Sequence, residues 1–154
     1  MLYLLFTAGA RRYALAAGSV VEVVPLLRLD PLPGAPPSVR GLFSYRGIPV
    51  AAVDVSVLSG GGEAPERMST RIVIVSYSEA GGAIRLVGLL ATSVTETVAR
   101  SGKHEAPSRL NLPDAPWIES AFVVGDEVVP CVRVEAFLPV EIRALVDARS
   151  ERPG

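Results

Sequence analysis

The sequence predicts an all-β protein of small barrels with a helical end. Three observations lead there. Apolar, β-branched runs of roughly four to eight residues recur along the chain, and glycine, proline or polar turn residues bound most of them. No segment takes up a helical spacing of apolar residues until the tail, where Val140, Ile142, Leu145 and Val146 could share one face. About nine or ten short strands separated by frequent turns is the pattern of sheets that close on themselves.

Leu2 to Phe6 is a short apolar run, Thr7-Ala8-Gly9-Ala10 supplies a turn and Tyr13-Ala14-Leu15 resumes, which is a hairpin. Ala16-Ala17-Gly18-Ser19 interrupts with about one helical turn. Val20-Val21-Glu22-Val23-Val24, bounded by Gly18 and Pro25, reads as the next strand. From Pro25 to Pro37 the chain carries five prolines. Proline fixes φ and has no N–H for a ladder, so this stretch is an ordered, extended connector. Val39 to Tyr45 and Ile48 to Val55 form a second hairpin around Arg46-Gly47, and Ser59 to Met68, with three glycines, is a mobile loop.

Thr70 to Tyr77 is a buried strand, Ser78 to Ala83 turns, Ile84 to Ala91 returns and Val94 to Ala99 continues. Ser101 to Trp117 is a polar loop. Ile118 to Val124 and Val128 to Val132 make the last hairpin through Gly125-Asp126-Glu127. Val134, Phe137 and Leu138 suit a helical turn, and Pro139 breaks it but is tolerated at the start of a second helix over Val140 to Arg149. No internal repeat stands out.

The 154 residues suit one domain or two small subdomains sharing a core, and 49% hydrophobic against 20% charged residues is enough to bury one. Fifteen basic and 16 acidic residues give a net charge of −1, which leaves no basic excess for a phosphate backbone. A single cysteine excludes an internal disulfide and fits a reducing compartment. The apolar N-terminus is short and lacks preceding basic residues, so a signal peptide is disfavoured, and no run approaches the roughly 18 apolar residues of a membrane span. A soluble cytoplasmic protein is expected.

Candidate chemistry is sparse. His104, the only histidine, lies in a polar loop, and one histidine with one cysteine from an unrelated segment does not make a metal site. Cys131 sits in an apolar run and reads as a buried thiol. The glycines 60 to 62 have neither the Lys-Ser/Thr nor the strand-to-helix context of a phosphate loop. Glu22 and Asp54 sit in or at the ends of strands. They read as structural acids answering an arginine or backbone N–H groups, ahead of a general acid/base pair. Arg46 is at a hairpin tip beside Gly47, where its planar fork could tie the turn to neighbouring carbonyls or to a carboxylate such as Glu22.

Taken in order, these residues resemble the CheW family of chemotaxis coupling proteins and the related regulatory domain of the CheA histidine kinase. The pattern comprises Tyr13-Ala14-Leu15, Val20-Val21-Glu22-Val23, Pro33-Gly34-Ala35-Pro36, Val39-Arg40-Gly41-Leu42, Tyr45-Arg46-Gly47, Pro49-Val50, Val53-Asp54, Val87-Gly88-Leu89 and Val94. It covers about Leu2 to Leu138 and leaves a tail, Pro139 to Gly154, outside. The resemblance implies two intertwined five-stranded SH3-like barrels with a hydrophobic seam between them, no catalysis and no cofactor. It also implies a bridge between the cytoplasmic tip of a chemoreceptor and the regulatory domain of a CheA-type kinase, recruited to receptor arrays at the membrane.

By match to the pattern, Glu22, Arg46, Gly47 and Asp54 take the family's signature positions. Val20, Val23 and Val39 are candidate groove or seam contacts, or plain core. The family's usual Asn before Arg-Gly is Ser44 here, and Val55-Ser56 replace a basic residue after the acid. The short, alanine-rich form looks closer to couplers of surface-sensing pathways, such as the Wsp type, than to a flagellar coupler. The competing reading is an SH3-like barrel that binds a small ligand or an oligonucleotide. It needs a basic groove with interleaved aromatics, and aromatics make up only 6% of this chain.

Overall fold

The computed structural model describes residues 1–65, 67–78, 82, 84–100 and 107–136. His104, Phe137, Leu138 and the tail expected to be helical lie outside them, as does most of the Ser78 to Ala83 turn.

Among the described residues, eleven strands form two sheets. Hairpin β1 (Leu2–Ala8) and β2 (Arg11–Ala16) leads through one 3-10 turn, Ala17–Ser19, to β3 (Val20–Pro25). After the proline-rich connector come β4 (Val39–Tyr45), β5 (Ile48–Asp54), a four-residue helix α1 (Val55–Leu58), β6 (Arg71–Ser78) and β7 (Ile84–Ala91). The chain continues with β8 (Ser93–Ala99), β9 (Ser108–Arg109), β10 (Ile118–Val124), β11 (Glu127–Val132) and a 3-10 turn at Val134–Ala136. One sheet runs β8-β1-β2-β11-β10-β9 and the other β3-β6-β7-β5-β4. The chain therefore starts in the first sheet, builds the whole of the second and returns, which interleaves the two units as the resemblance implied. The two-residue β9 adds a sixth strand to the first.

Three apolar clusters follow from the period of two along each strand. Inside the first sheet, Tyr3 and Leu5 of β1, Ala14 of β2, Phe122 of β10 and Val129 and Cys131 of β11 pack together. Inside the second, Phe43, Tyr45, Val50, Ala52, Ile72, Ile74 and Leu90 do the same. The alternate residues meet between the sheets, where Phe6, Tyr13 and Leu15 pack against Val53, Val73, Val75 and Leu89. Each sheet thus has its own interior and shares an apolar seam with the other. Fully burying a side chain of this size contributes roughly 1.5–3 kcal/mol, so the seam makes the two units one folding body. Trp117, from the stretch expected to be a polar loop, is 6% exposed in the seam and lies 5.6 Å from the Tyr13 ring.

The connector after β3 is irregular, as five prolines require, except where Asp30 bridges to Leu42 through two backbone hydrogen bonds of 2.8 Å. That bridge covers part of the β4 edge, which would otherwise present unpaired backbone groups. The expectation that β5 runs on through Val55 is corrected. Asp54 is extended (φ −91°, ψ 102°), and its carboxylate accepts from the Ser56 N–H, which starts α1 one residue earlier. The glycine loop beyond α1, expected to be mobile, is pinned: the Gly61 N–H donates to the Ser56 carbonyl and the Ser56 hydroxyl to the Gly62 carbonyl.

Cys131 is 2% exposed. Burial pushes its thiol up to about 11 from an ordinary value of 9.0, partly offset by a hydrogen bond with Ser120. The folded state therefore holds its proton where the unfolded chain releases it. The thiol's contribution to stability is full below pH 9 and is lost as the pH climbs towards 11. At pH 8 its alkylation is expected to run at least roughly a hundredfold slower in the native protein than in urea, on thiolate fraction alone. Equal rates in a thiol-labelling assay would contradict this burial.

Candidate functional site

The β4–β5 turn is the most exposed of the sequence-predicted sites. Arg46 and Gly47 are its two central residues, and both have positive φ, 51° and 80°. That is the arrangement whose twist matches a β-hairpin, and glycine at the second position removes half of its steric cost. The Arg46 side chain is 74% exposed, with its guanidinium 5.2 Å from the centre of the Tyr45 ring. Its nearest acid is Glu22 of β3, at 3.9 Å. The structure thus brings together the pair expected from sequence, at a separation and exposure where an ion pair contributes little. It also shows what the pair does geometrically: β3 and β4 are the two edges of their sheet, and Glu22–Arg46 spans them.

Beneath this pair the Tyr45 hydroxyl is shielded from solvent. Burial raises its pKa above the usual phenol range, the Glu22 carboxylate adds to the shift and Arg46 works against it. Beside the turn, a groove of about 360 Å³ runs between connector and hairpin, lined by Pro31, Leu32, Pro33, Leu42, Gly47 and Pro49 among others.

Asp54 belongs to a different place. It ends β5 at the opposite end from Ile48, about 20 Å away at strand rise, and is fully buried. Its carboxylate accepts from Arg40 Nη1 at 2.8 Å, from the Ala64 N–H at 2.8 Å and from the Ser56 N–H at 3.1 Å, while its own N–H donates to the Ser38 carbonyl at 2.6 Å. It is the structural acid that the sequence suggested, tying β4, β5, α1 and the glycine loop together. Arg40, 17% exposed, also reaches Glu63 at 3.7 Å. It stands in the quoted Val39-Arg40-Gly41-Leu42 pattern, yet sequence reasoning assigned it no role. Its separation by a full hairpin from Asp54 gave no local signal.

The three valines divide. Val39 is 7% exposed and belongs to the seam, Val20 packs against the seam from its margin, and Val23 is 38% exposed, with Val21 beside it at 46%. No group of three or more His, Cys, Asp and Glu among the described residues could hold a metal ion. No helix among them is long and apolar enough to cross a membrane.

The family model of the CheW-like domain matches residues 2–141, nearly the whole chain. The chain belongs to the CheW-like domain family. Among solved structures, the scaffolding protein TtCheW from Thermoanaerobacter tengcongensis has the same fold. Its TM-score is 0.75 at 19% identity, over 90% of this chain and 88% of that one. CheW-like proteins are non-enzymatic scaffolds of chemotaxis signal transduction, and this chain has that role.

Proposed function

We propose that this CheW-like protein couples the cytoplasmic tip of a chemoreceptor to the regulatory domain of a CheA-type histidine kinase. It would work in the cytoplasm and be recruited to receptor arrays at the membrane. The partner-binding unit is residues 1–138, with the tail 139–154 apart from it. Family membership supports the pathway. The observation that carries the site is Arg46, a charged fork on a tight two-residue turn, three-quarters exposed and only loosely answered by Glu22. Such a group costs little to desolvate against a partner carboxylate or carbonyl, and arginine is the residue type that most often anchors an interface.

In this reading Glu22 orients Arg46 and Gly47 allows the turn. Val23 offers apolar contact directly, while Val20 and Val39 support the strand beneath it. Asp54 keeps the hairpin's far end in place. Coupling needs no chemistry. A receptor state that fits one arrangement of the complex better biases the kinase through that difference in contact free energy.

Arg46→Ala tests the site. It is expected to weaken binding to the kinase domain or the receptor tip about tenfold or more while shifting the melting temperature by less than about 2 °C, since an exposed ion pair contributes little to stability. A melting temperature that falls in step with binding would make Arg46 a folding residue.

A further inference from the structure

The two sheets share one plan. From edge to edge, β8-β1-β2-β11-β10 and β3-β6-β7-β5-β4 both pair antiparallel, antiparallel, parallel, antiparallel. The registers agree residue by residue. Ala14 lies between Leu5 and Cys131 as Gly88 lies between Ile74 and Ala52. Leu5 pairs with Glu96 as Ile74 pairs with Glu22. Both ladders skip one residue just before the glutamate, Thr95 in one and Val21 in the other. With the register as guide, the sequence repeats as well: Leu15 to Val24 and Leu89 to Val98 agree at six of ten positions, in the order Leu, Ala, Ser, Val, Glu, Val.

Glu22 and Glu96 thus occupy one position of a repeated unit. Each lies on the same strand face as the valine two residues on (Val24 or Val98) that packs against the interior cluster, but at the open rim, with side chains 40% and 53% exposed. The answering arginines come from different places in the fold. Arg46 reaches Glu22 from the β4–β5 turn at 3.9 Å. In the first barrel, Arg12 of β2 contacts Glu96 of β8 at 3.1 Å and Glu127 of β11 at 2.9 Å, with its side chain 23% exposed. The positions matching Arg12 and Glu127 in the second barrel are Leu86 and Ile48, so this triad exists once.

We infer that Arg12, with Glu96 and Glu127, is the clasp that closes the first barrel, the counterpart of Glu22–Arg46 in the second and the firmer of the two. Backbone pairing joins β8 to β1 alone, and β10 lies at the far side of the sheet. Arg12, on β2, ties the edge strand β8 to β11 by holding both glutamates at once, and β11 carries β10 with it. Arg100 helps from the end of β8, donating to the Val123 carbonyl at 3.2 Å. The same unit is therefore built with one locked edge, at β8, and one lightly held edge, at β3. Arg12 is a positioning residue that decides which edge stays shut.

Hydrogen exchange on the full chain, resolved by strand, tests this for the parent protein, Arg12→Ala, Glu96→Gln and the double variant. Each single change is expected to speed exchange of the β8 amides about fivefold, as for a geometrically good ion-pair network, with β3 unchanged. The double variant is expected to match the larger single effect. Glu96→Gln, isosteric and on the surface, keeps the test open should Arg12→Ala fold poorly. Unchanged β8 exchange, additive effects of the two changes, or an equal rise in both barrels would each overturn the clasp.

Discussion

Asp54→Ala is expected to lower the unfolding free energy by about 3–5 kcal/mol, the usual cost of leaving one member of a buried charged pair without its partner. The Arg40 guanidinium would lose its closest acceptor, and the Ser56 and Ala64 N–H groups would lose theirs. A native domain has roughly 5–15 kcal/mol in total, so this change takes a large share and should lower the melting temperature by roughly 10 °C. Asp54→Asn keeps an oxygen for the helix start while removing the charge, and should fall between the two. Denaturant titration of the three proteins gives the order. A loss below about 1 kcal/mol for Asp54→Ala, the scale of a surface pair, would mean that the carboxylate is not the tie described here.

Gly41→Ala is expected to be of similar size for a different reason. Gly41 has φ 145°, a region that side chains avoid, and a Cβ there would lie 2.5 Å from the Asp30 carbonyl oxygen and 2.8 Å from its carbon. The obstacle is backbone, so no rotamer relieves it. Either β4 moves or the connector detaches and gives up both Asp30–Leu42 hydrogen bonds. Strain of about 1–3 kcal/mol and two lost bonds of about 1 kcal/mol each give a loss of about 3–5 kcal/mol. Faster proteolysis in the Pro25 to Pro37 segment would mark the detachment. An unchanged melting temperature would show that the close approach is not maintained in solution.

These two residues explain much of the Arg-Gly pattern in physical terms. Gly41 permits the connector to cross, Gly47 permits the turn, and Arg40 and Asp54 neutralise each other under the loop. Of the two arginines in that pattern, Arg40 is tied to Asp54 and Arg46 faces solvent with a weak partner, which is why the functional reading rests on it.

Apolar runs bounded by turn residues placed the hairpins well, because β1, β2, β5, β6 and β7 have one face in a sheet's own interior and the other in the seam. The missed elements are those in which tertiary context overrides local preference. Val55-Ser56-Val57-Leu58 carries strand-forming residues, yet Asp54 supplies the cap, its carboxylate accepting from the Ser56 N–H, that turns it into α1. Trp117 enters the core from a segment that is polar and rich in proline. β9 is two residues long and depends wholly on pairing with β10. Glu22–Arg46 was legible because a hairpin tip is a local signal. Arg40–Asp54 was not, since nothing in the sequence says which side chains cross a hairpin. The repeat stayed hidden because one copy is split by the whole of the other, so only Leu15 to Val24 and Leu89 to Val98 keep enough likeness to align.

The central claim is that one scaffold binds two different partners. Calorimetric titration of the full chain tests it most directly, first with the regulatory domain of a CheA-type kinase and then with a receptor-tip helical hairpin from the same organism. Saturable binding to each, weakened for at least one of them by Arg46→Ala, is the predicted result. Binding to neither by a protein that melts cooperatively would contradict the coupling role.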